Sequence, residues 1–221
     1  MEIKGININF LGHSGFFIKS SKNIVIDPYN ISGNPEKADI ILITHSHYDH
    51  CSIKDIEKFV KNGTIIISSP DCQSKLTKLK NINMQVIEVG DKMDIGGIKI
   101  EAVSAYNLNK DFHPKEEGWL GYLVKLKKII IYHAGDTDFI PEIKNLSGYG
   151  KHENEFIVFL PVSGKFVMDP EEAAEAASYL KPNLVIPMHY GEGVAGTIED
   201  AERFSEICNE KNINVKILEK V

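Results

Sequence analysis

Cysteine is scarce in this chain. There are three, Cys51, Cys72 and Cys208, an odd number with no CxxC spacing, so neither a disulfide framework nor a thiolate zinc knuckle is expected. Each reads as a small buried or half-buried hydrophobe. Cys51 stands apart because it directly follows His50. Long apolar runs are also missing. None approaches the roughly 18 residues of a membrane span. The opening MEIKGININF carries charge too early, and alternates too much, for a signal peptide. A soluble, cytoplasmic protein with no membrane partner is expected. Positive charge is in deficit: Lys+Arg is 25 against Asp+Glu 31, a formal charge of −6. A broad basic surface for neutralising phosphates is therefore lacking, and a nucleic-acid partner is not expected. There is no Pro/Gly/Ser-rich linker, low-complexity stretch or charge block, so one continuous domain over 1–221 is the simplest organisation.

What is present suits a folded protein. Hydrophobic residues make up 43% and charged residues 25% of 221, which excludes disorder and allows a substantial core. The first third reads as short strands at 6–11, 15–19 and 23–27. Residues 38–44 (ADIILIT) form a nearly unbroken apolar strand, as expected when both faces are covered. A helix capped by Ser52 follows, with Ile56, Phe59 and Val60 on its apolar face. A strand at 64–69 and a short helix at 71–79 come next. Strands are then expected at 85–89, 98–105, 121–126 and 129–133. The last third alternates: a strand at 156–161, a helix capped by Asp169 with Pro170 in its first turn and Glu172 completing a capping box, a strand at 184–187, a helix opening at Thr197, and a closing strand at 215–218. Periodicity supports an α/β fold with mixed sheets and helices outside.

The chemistry is concentrated in residues 44–50, THSHYDH. His45, His47, Asp49 and His50 place four potential metal ligands directly after a buried strand. In an extended segment alternate side chains share a side, so His45, His47 and Asp49 can converge, while His50 needs a local turn. That arrangement suits two neighbouring metals better than one. Imidazole and carboxylate suit Zn, Mn, Fe, Ni or Co, and the lack of a thiolate argues against copper or iron–sulfur chemistry. Two further strand ends carry candidates. Asp136 follows a glycine in YHAGDTD and would, alone, read as an Asx-turn residue. His189, in VIPMHYG, would alone read as a core histidine. Beside the histidine cluster both are favoured as ligands. Trp119 reads as core, His133 as a core histidine or a support behind the ligands, and His152, within KHENE, as solvated.

These motifs resemble the metallo-β-lactamase superfamily over almost the whole chain: HxHxDH at 45–50, an Asp ending an early strand (Asp27, in IVIDP), GD at 135–136 and a late His at 189. LGHSG at 11–15, YHAGDTD and IPMHYG are similar to the compact metal-dependent hydrolase branch that includes ascorbate-6-phosphate lactonase and N-acyl-phosphatidylethanolamine phospholipase D. The resemblance implies a four-layer αββα sandwich and two divalent ions, Zn foremost. His45 and His47 would hold the first ion, Asp49, His50 and His189 the second, and Asp136 would bridge. Asp27 would order the metal-binding loop. The family's middle histidine has no direct counterpart. Alignment by distance from the strand end puts Asn107 there, and the expectation falls on His113 instead, with Asn107 the alternative.

The implied reaction is attack of a metal-bound hydroxide on an ester, lactone or phosphodiester, with Asp49 as proton acceptor or orienter. Two rivals remain: a nucleic-acid phosphodiesterase, and a non-hydrolytic metal-binding or redox protein of the same fold. His47 weighs against the second, because di-iron oxidoreductases of this fold usually carry an acidic residue at that position. The substrate is taken to be a small molecule whose identity, like the oligomeric state, is not written in the loops.

Overall fold

A computed structural model describes residues 1–151 and 153–221. The expectation for His152 lies outside the described residues. The chain divides into two compact units, Met1–Glu88 with Leu218–Val221, and Val89–Ile217.

The first unit is built on one sheet of seven strands in sequence order: β1 (Glu2–Ile3), β2 (Ile6–Gly12), β3 (Gly15–Lys19), β4 (Asn23–Ile26), β5 (Ile40–Ile43), β6 (Thr64–Ser68) and β7 (Ile82–Val86). Pairing is antiparallel up to β4 and parallel from β4 to β7. The change follows from the connections. Short turns join the first four strands, whereas longer crossovers, one carrying helix α1 (Ile53–Phe59), join the rest. All of β5 is buried, as its unbroken apolar run predicts. Ile56 and Phe59 of α1 sit in a core with Phe17, Ile41, Ile66 and Leu76. Phe17 and Phe59 stack at 6.0 Å. Fully burying such side chains contributes about 1.5–3 kcal/mol each.

The helix expected at 71–79 is not formed as one element. A 3-10 turn (Pro70–Cys72) leads into one short helical turn, α2 (Gln73–Leu76). The acid that would have served the helix start is engaged elsewhere: Asp71 accepts the backbone N–H of Ser46 at 3.0 Å and the Ser69 hydroxyl at 2.5 Å. The strand expected at 85–89 begins earlier, because Ile82 pairs with Thr64 and the ladder ends at Val86 opposite Ser68. Cys51, Cys72 and Cys208 are all free and buried, as the sequence implied.

Among the described residues the second unit holds six strands: β8 (Lys92–Ile95), β9 (Ile98–Ser104), β10 (Leu120–Leu126), β11 (Ile129–His133), β12 (Glu155–Pro161) and β13 (Leu184–Met188), again in sequence order. β8 to β11 are antiparallel and β11 to β13 parallel. β8, which carries no continuous apolar strand signal in the sequence, is an edge strand closed by a turn in which Gly97 N–H donates to Asp94 Oδ1 at 2.8 Å. Among the described residues, three α-helices complete the unit, α3 (Pro141–Lys144), α4 (Pro170–Leu180) and α5 (Ile198–Glu210), with a 3-10 turn at Lys115–Glu117.

Asp169 caps α4 by accepting Glu172 N–H at 2.8 Å, but the expected box is only half made. The Glu172 carboxylate accepts from Phe139 N–H at 2.8 Å instead. In α5 the box is present, with Asp200 accepting Thr197 N–H at 2.7 Å. The closing strand expected at 215–218 does not form; Val215 makes one isolated bridge to Val185, with Lys216 N–H on Val185 O. Among the described residues no helix is long and apolar enough to cross a membrane.

Candidate functional site

Both units present their chemistry at the same kind of place, the carboxyl ends of parallel strands, where side chains from adjacent strand ends can converge. In the first unit Asp27 ends β4, and the segment from Thr44 to His50 leaves β5. That segment does not stay extended as alternation predicted. It turns, with the N–H groups of His50 and Cys51 both on His47 O at 3.1 and 2.8 Å, so Asp49 and His50 reach the cluster through the turn rather than through strand alternation.

Asp27 is fully buried and accepts three hydrogen bonds: Thr44 N–H at 2.9 Å, the Thr44 hydroxyl at 2.6 Å and His50 Nδ1 at 2.8 Å. These contacts decide which imidazole nitrogen carries a proton. His50 Nδ1 donates to a carboxylate, which leaves its Nε2 with the lone pair. The Thr44 hydroxyl spends its proton on Asp27, so at 3.0 Å from His45 Nδ1 it accepts, and His45 Nε2 likewise carries a lone pair. Asp27 thus ties the end of β4 to Thr44 and His50 beyond β5.

Four imidazoles gather in this unit. The rings of His45 and His50 lie 4.2 Å apart, those of His45 and His47 4.7 Å, and those of His13 and His50 5.4 Å. Ligand-capable atoms of His13, Asp49 and His50 fall within 4.8 Å of one another, as do those of His45 and His47. The sequence reading gave His13 no definite task. Its Nε2 lies 2.9 Å from Asp49 Oδ2, and the Gly-flanked turn that carries it was the available signal.

In the second unit Asp136 follows β11 and His189 follows β13. Gly135 makes the turn at φ +66°, and a Cβ there would meet Leu120 O at 2.5 Å. His133, expected among the supporting residues, is buried and its Nδ1 accepts Gly135 N–H at 3.2 Å. His113 Nε2 and His189 Nε2 approach the same atom, Asp136 Oδ2, at 3.2 and 3.1 Å. His113 Nδ1 lies 2.9 Å from Phe166 O. A carbonyl only accepts, so Nδ1 carries a proton, and Nε2 is the ring nitrogen that faces Asp136. His189 Nδ1 is paired with the Ser163 hydroxyl at 2.8 Å. Ser163 escaped the sequence reading, although it stands just past the end of β12. Asn107 faces the loop instead: its amide N–H groups go to Phe112 O at 2.8 Å and Phe166 O at 2.6 Å. Trp119 is buried and packs edge-on against His113 at 5.3 Å. Tyr190, also buried, has its hydroxyl pKa pushed up to about 12 by burial.

Four of these residues hold left-handed backbone without being glycine: His13 (φ 54°), Asp27 (φ 41°), His113 (φ 58°) and His189 (φ 60°). Such a conformation costs about 1–2 kcal/mol per residue, and at these four, two in each unit, the backbone is held against that cost by its surroundings.

The donor set fits a divalent metal. It is imidazole nitrogen and carboxylate oxygen, and the supporting hydrogen bonds sit on Nδ1 with Nε2 left to ligate. Two imidazole Nε2 atoms within 3.2 Å of one carboxylate oxygen are a donor set of the kind a divalent cation takes.

Sequence comparison agrees with this geometry. A family described as "Beta-lactamase superfamily domain" matches residues 7–189. The chain belongs to the metallo-β-lactamase superfamily. Within it, the chain is 34% identical over 216 residues to a UPF0173 metal-dependent hydrolase of Thermococcus kodakarensis, covering 93% of each chain. Among solved structures it resembles a protein assigned as a metal-dependent hydrolase from Parabacteroides distasonis, with a TM-score of 0.82, 32% identity, and coverage of 97% of this chain and 94% of the other. A metallo hydrolase from Ignicoccus hospitalis shares the fold at a TM-score of 0.75 and 22% identity, with 97% and 95% coverage. The mixed α/β architecture with two sheets is that of the metallo-β-lactamase fold.

Proposed function

We propose that this chain is a metal-dependent hydrolase acting on an ester, lactone or phosphodiester bond of a small molecule. The observation that carries the reading is the presentation of imidazole Nε2 atoms, with Nδ1 of His45, His50 and His113 engaged by an acceptor. Its relatives in the superfamily carry the name metal-dependent hydrolase, which supports the same assignment.

In the first unit His45, His47, Asp49 and His50 would serve as ligands of a divalent ion, and in the second His113, Asp136 and His189 would do so. Zn suits the set best, and Mn, Fe, Ni or Co are compatible with it. Such an ion supplies a Lewis acid and lowers the pKa of water toward neutrality.

The chain's own residues do the rest. Asp49 Oδ2 takes the proton of the attacking water, and His13 Nε2, 2.9 Å away, donates to that carboxylate and keeps it aimed. Asp27 fixes the imidazoles of His45 and His50 through the contacts described. Ser163 does the same for His189. Gly135 and His133 shape the turn that delivers Asp136.

The experiment is metal content of the purified protein by elemental analysis, paired with hydrolysis of a phosphodiester, a p-nitrophenyl ester and a lactone panel. Close to two ions per chain and turnover of one class, strongly reduced in Asp49→Ala, are expected. A protein that takes up no metal on reconstitution, or that loads metal yet hydrolyses none of the three classes, overturns the reading.

A further inference from the structure

Asn107 stands where the sequence pattern leads one to look for a histidine ligand, yet its amide points its donors at the protein. One N–H goes to Phe112 O at 2.8 Å and the other to Phe166 O at 2.6 Å. Its backbone N–H takes His113 O at 2.7 Å. Asn107 therefore grips the carbonyls of both Phe112 and His113. This matters because His113 is left-handed at φ 58°, a conformation that a side-chain-bearing residue keeps only when its surroundings impose it. The grip also reaches the imidazole. Phe166 O accepts from Asn107 Nδ2 and from His113 Nδ1, the latter at 2.9 Å, and the two donors lie 3.2 Å apart around it. One carbonyl, held in place by the amide, thus sets the proton of His113 on Nδ1.

We infer that Asn107 is a positioning residue for His113: its amide nitrogen clamps the 107–113 loop and the Phe166 carbonyl, so that His113 presents an unprotonated Nε2 toward Asp136. The inference deepens the proposed function and rests on it for what Nε2 would bind. The arrangement has a clear chemical consequence. The nitrogen of Asn107 is what matters, because both hydrogen bonds are donated to carbonyls. The side-chain oxygen has no hydrogen-bond partner among the described residues. A residue ligating metal through that oxygen would tolerate, or gain from, replacement by a carboxylate. A clamp would be broken by it, because a carboxylate would face two carbonyl oxygens.

The test uses the full chain in five forms: wild type, Asn107→Asp, Asn107→Ala, His113→Ala and the Asn107→Ala/His113→Ala double variant. Zn2+ affinity is measured by competition with a chromophoric chelator. The ring nitrogens of His113 are read by 15N NMR in the metal-free protein near pH 8. Loss of an outer partner of a ligand weakens metal binding by about 10–100-fold, and both Asn107 variants should lie in that range. The double variant should bind no more weakly than His113→Ala alone, a non-additivity that general damage to the fold would not produce. In wild type Nδ1 should be protonated, and in both Asn107 variants the proton should spread over the two nitrogens.

Retained or tighter Zn2+ binding by Asn107→Asp overturns the inference. So does additivity in the double variant, or a wild-type His113 with Nδ1 unprotonated. That last readout needs no variant to fold. A wild type that binds no Zn2+ at all would sink the proposed function instead, and the ring-nitrogen measurement would still decide on the clamp.

Discussion

The carboxylate of Asp27 accepts a hydrogen bond from His50 Nδ1 at 2.8 Å. Both residues are fully buried, and the same carboxylate acts on His45 through the Thr44 hydroxyl. One acid at the end of β4 therefore sets the tautomer of two imidazoles that follow β5. Asp27→Asn keeps the shape but replaces an acceptor oxygen by an N–H that must face another donor. Zn2+ affinity should fall by about 10–100-fold, read by chelator competition. An unchanged affinity would mean that the imidazole orientations are imposed by packing and not by this carboxylate.

Gly135 is required for two separable reasons. Its φ is +66°, and a Cβ would lie 2.5 Å from Leu120 O. Gly63 shares the first feature at φ +84° but has nothing within 4 Å. Gly63→Ala should therefore cost about 1–2 kcal/mol, the left-handed penalty alone. Gly135→Ala should cost more, about 2–4 kcal/mol once overpacking is added, and it should also weaken metal binding by shifting Asp136. Urea unfolding of the two variants measures the difference. Equal losses would show that the backbone around Leu120 yields without strain.

Much of this was legible in the sequence, and the reasons it was or was not are physical. The apolar run of β5 and the His-rich segment after it are local signals, and both were read. Strand ends carrying Asp136 and His189 were readable because each pairs a ligand type with a neighbouring glycine. What escaped was set by tertiary contacts. Glu172 looks like a capping-box residue, yet Phe139 N–H claims its carboxylate. Asp71 looks like the start of a helix, yet Ser46 N–H claims it. Spacing put Asn107 at the middle position and the expectation fell on His113; what spacing could not show is that both side chains meet Phe166 O, 53 residues beyond His113 along the chain. His13 is separated by 36 residues from the Asp49 it meets.

Asp55 links α1 to the loop after β4. It accepts Asn30 N–H at 3.0 Å, Ile31 N–H at 3.1 Å, the Ser52 hydroxyl at 2.7 Å and Lys58 Nζ at 3.1 Å. Burial pushes its carboxyl up, but the hydrogen bonds from Ser52, Lys58, Ile31 and Asn30 outweigh burial and hold it below its ordinary value of 3.8. A depressed folded pKa gives stability that is present above the ordinary value and is lost as pH falls through the folded one. Asp55→Ala should cost about 1–3 kcal/mol at pH 7, and the gap to wild type should narrow below about pH 4. Urea midpoints measured from pH 3 to pH 8 check both statements. A gap that does not change with pH would assign the loss to packing and not to the charge.

Glu172 carries the opposite sign. Burial is the largest influence on its carboxyl and raises it above 4.5, against a smaller lowering by the Phe139 N–H it accepts. Its raised folded pKa means that the protonated form is favoured in the fold. The benefit is full below the ordinary value and is lost as pH rises through the folded one, leaving a partly buried charge at neutrality. Glu172→Gln keeps an oxygen for Phe139 N–H and removes that charge. Lys110, 3.9 Å from Glu172, retains Asp138 as its closer partner, so no cation is stranded. The variant should be more stable than wild type at pH 7, with the difference closing below about pH 4, as followed by thermal unfolding across pH. A Glu172→Gln protein less stable than wild type at pH 7 would show that attraction to Lys110 and to the start of α4 exceeds the cost of burial.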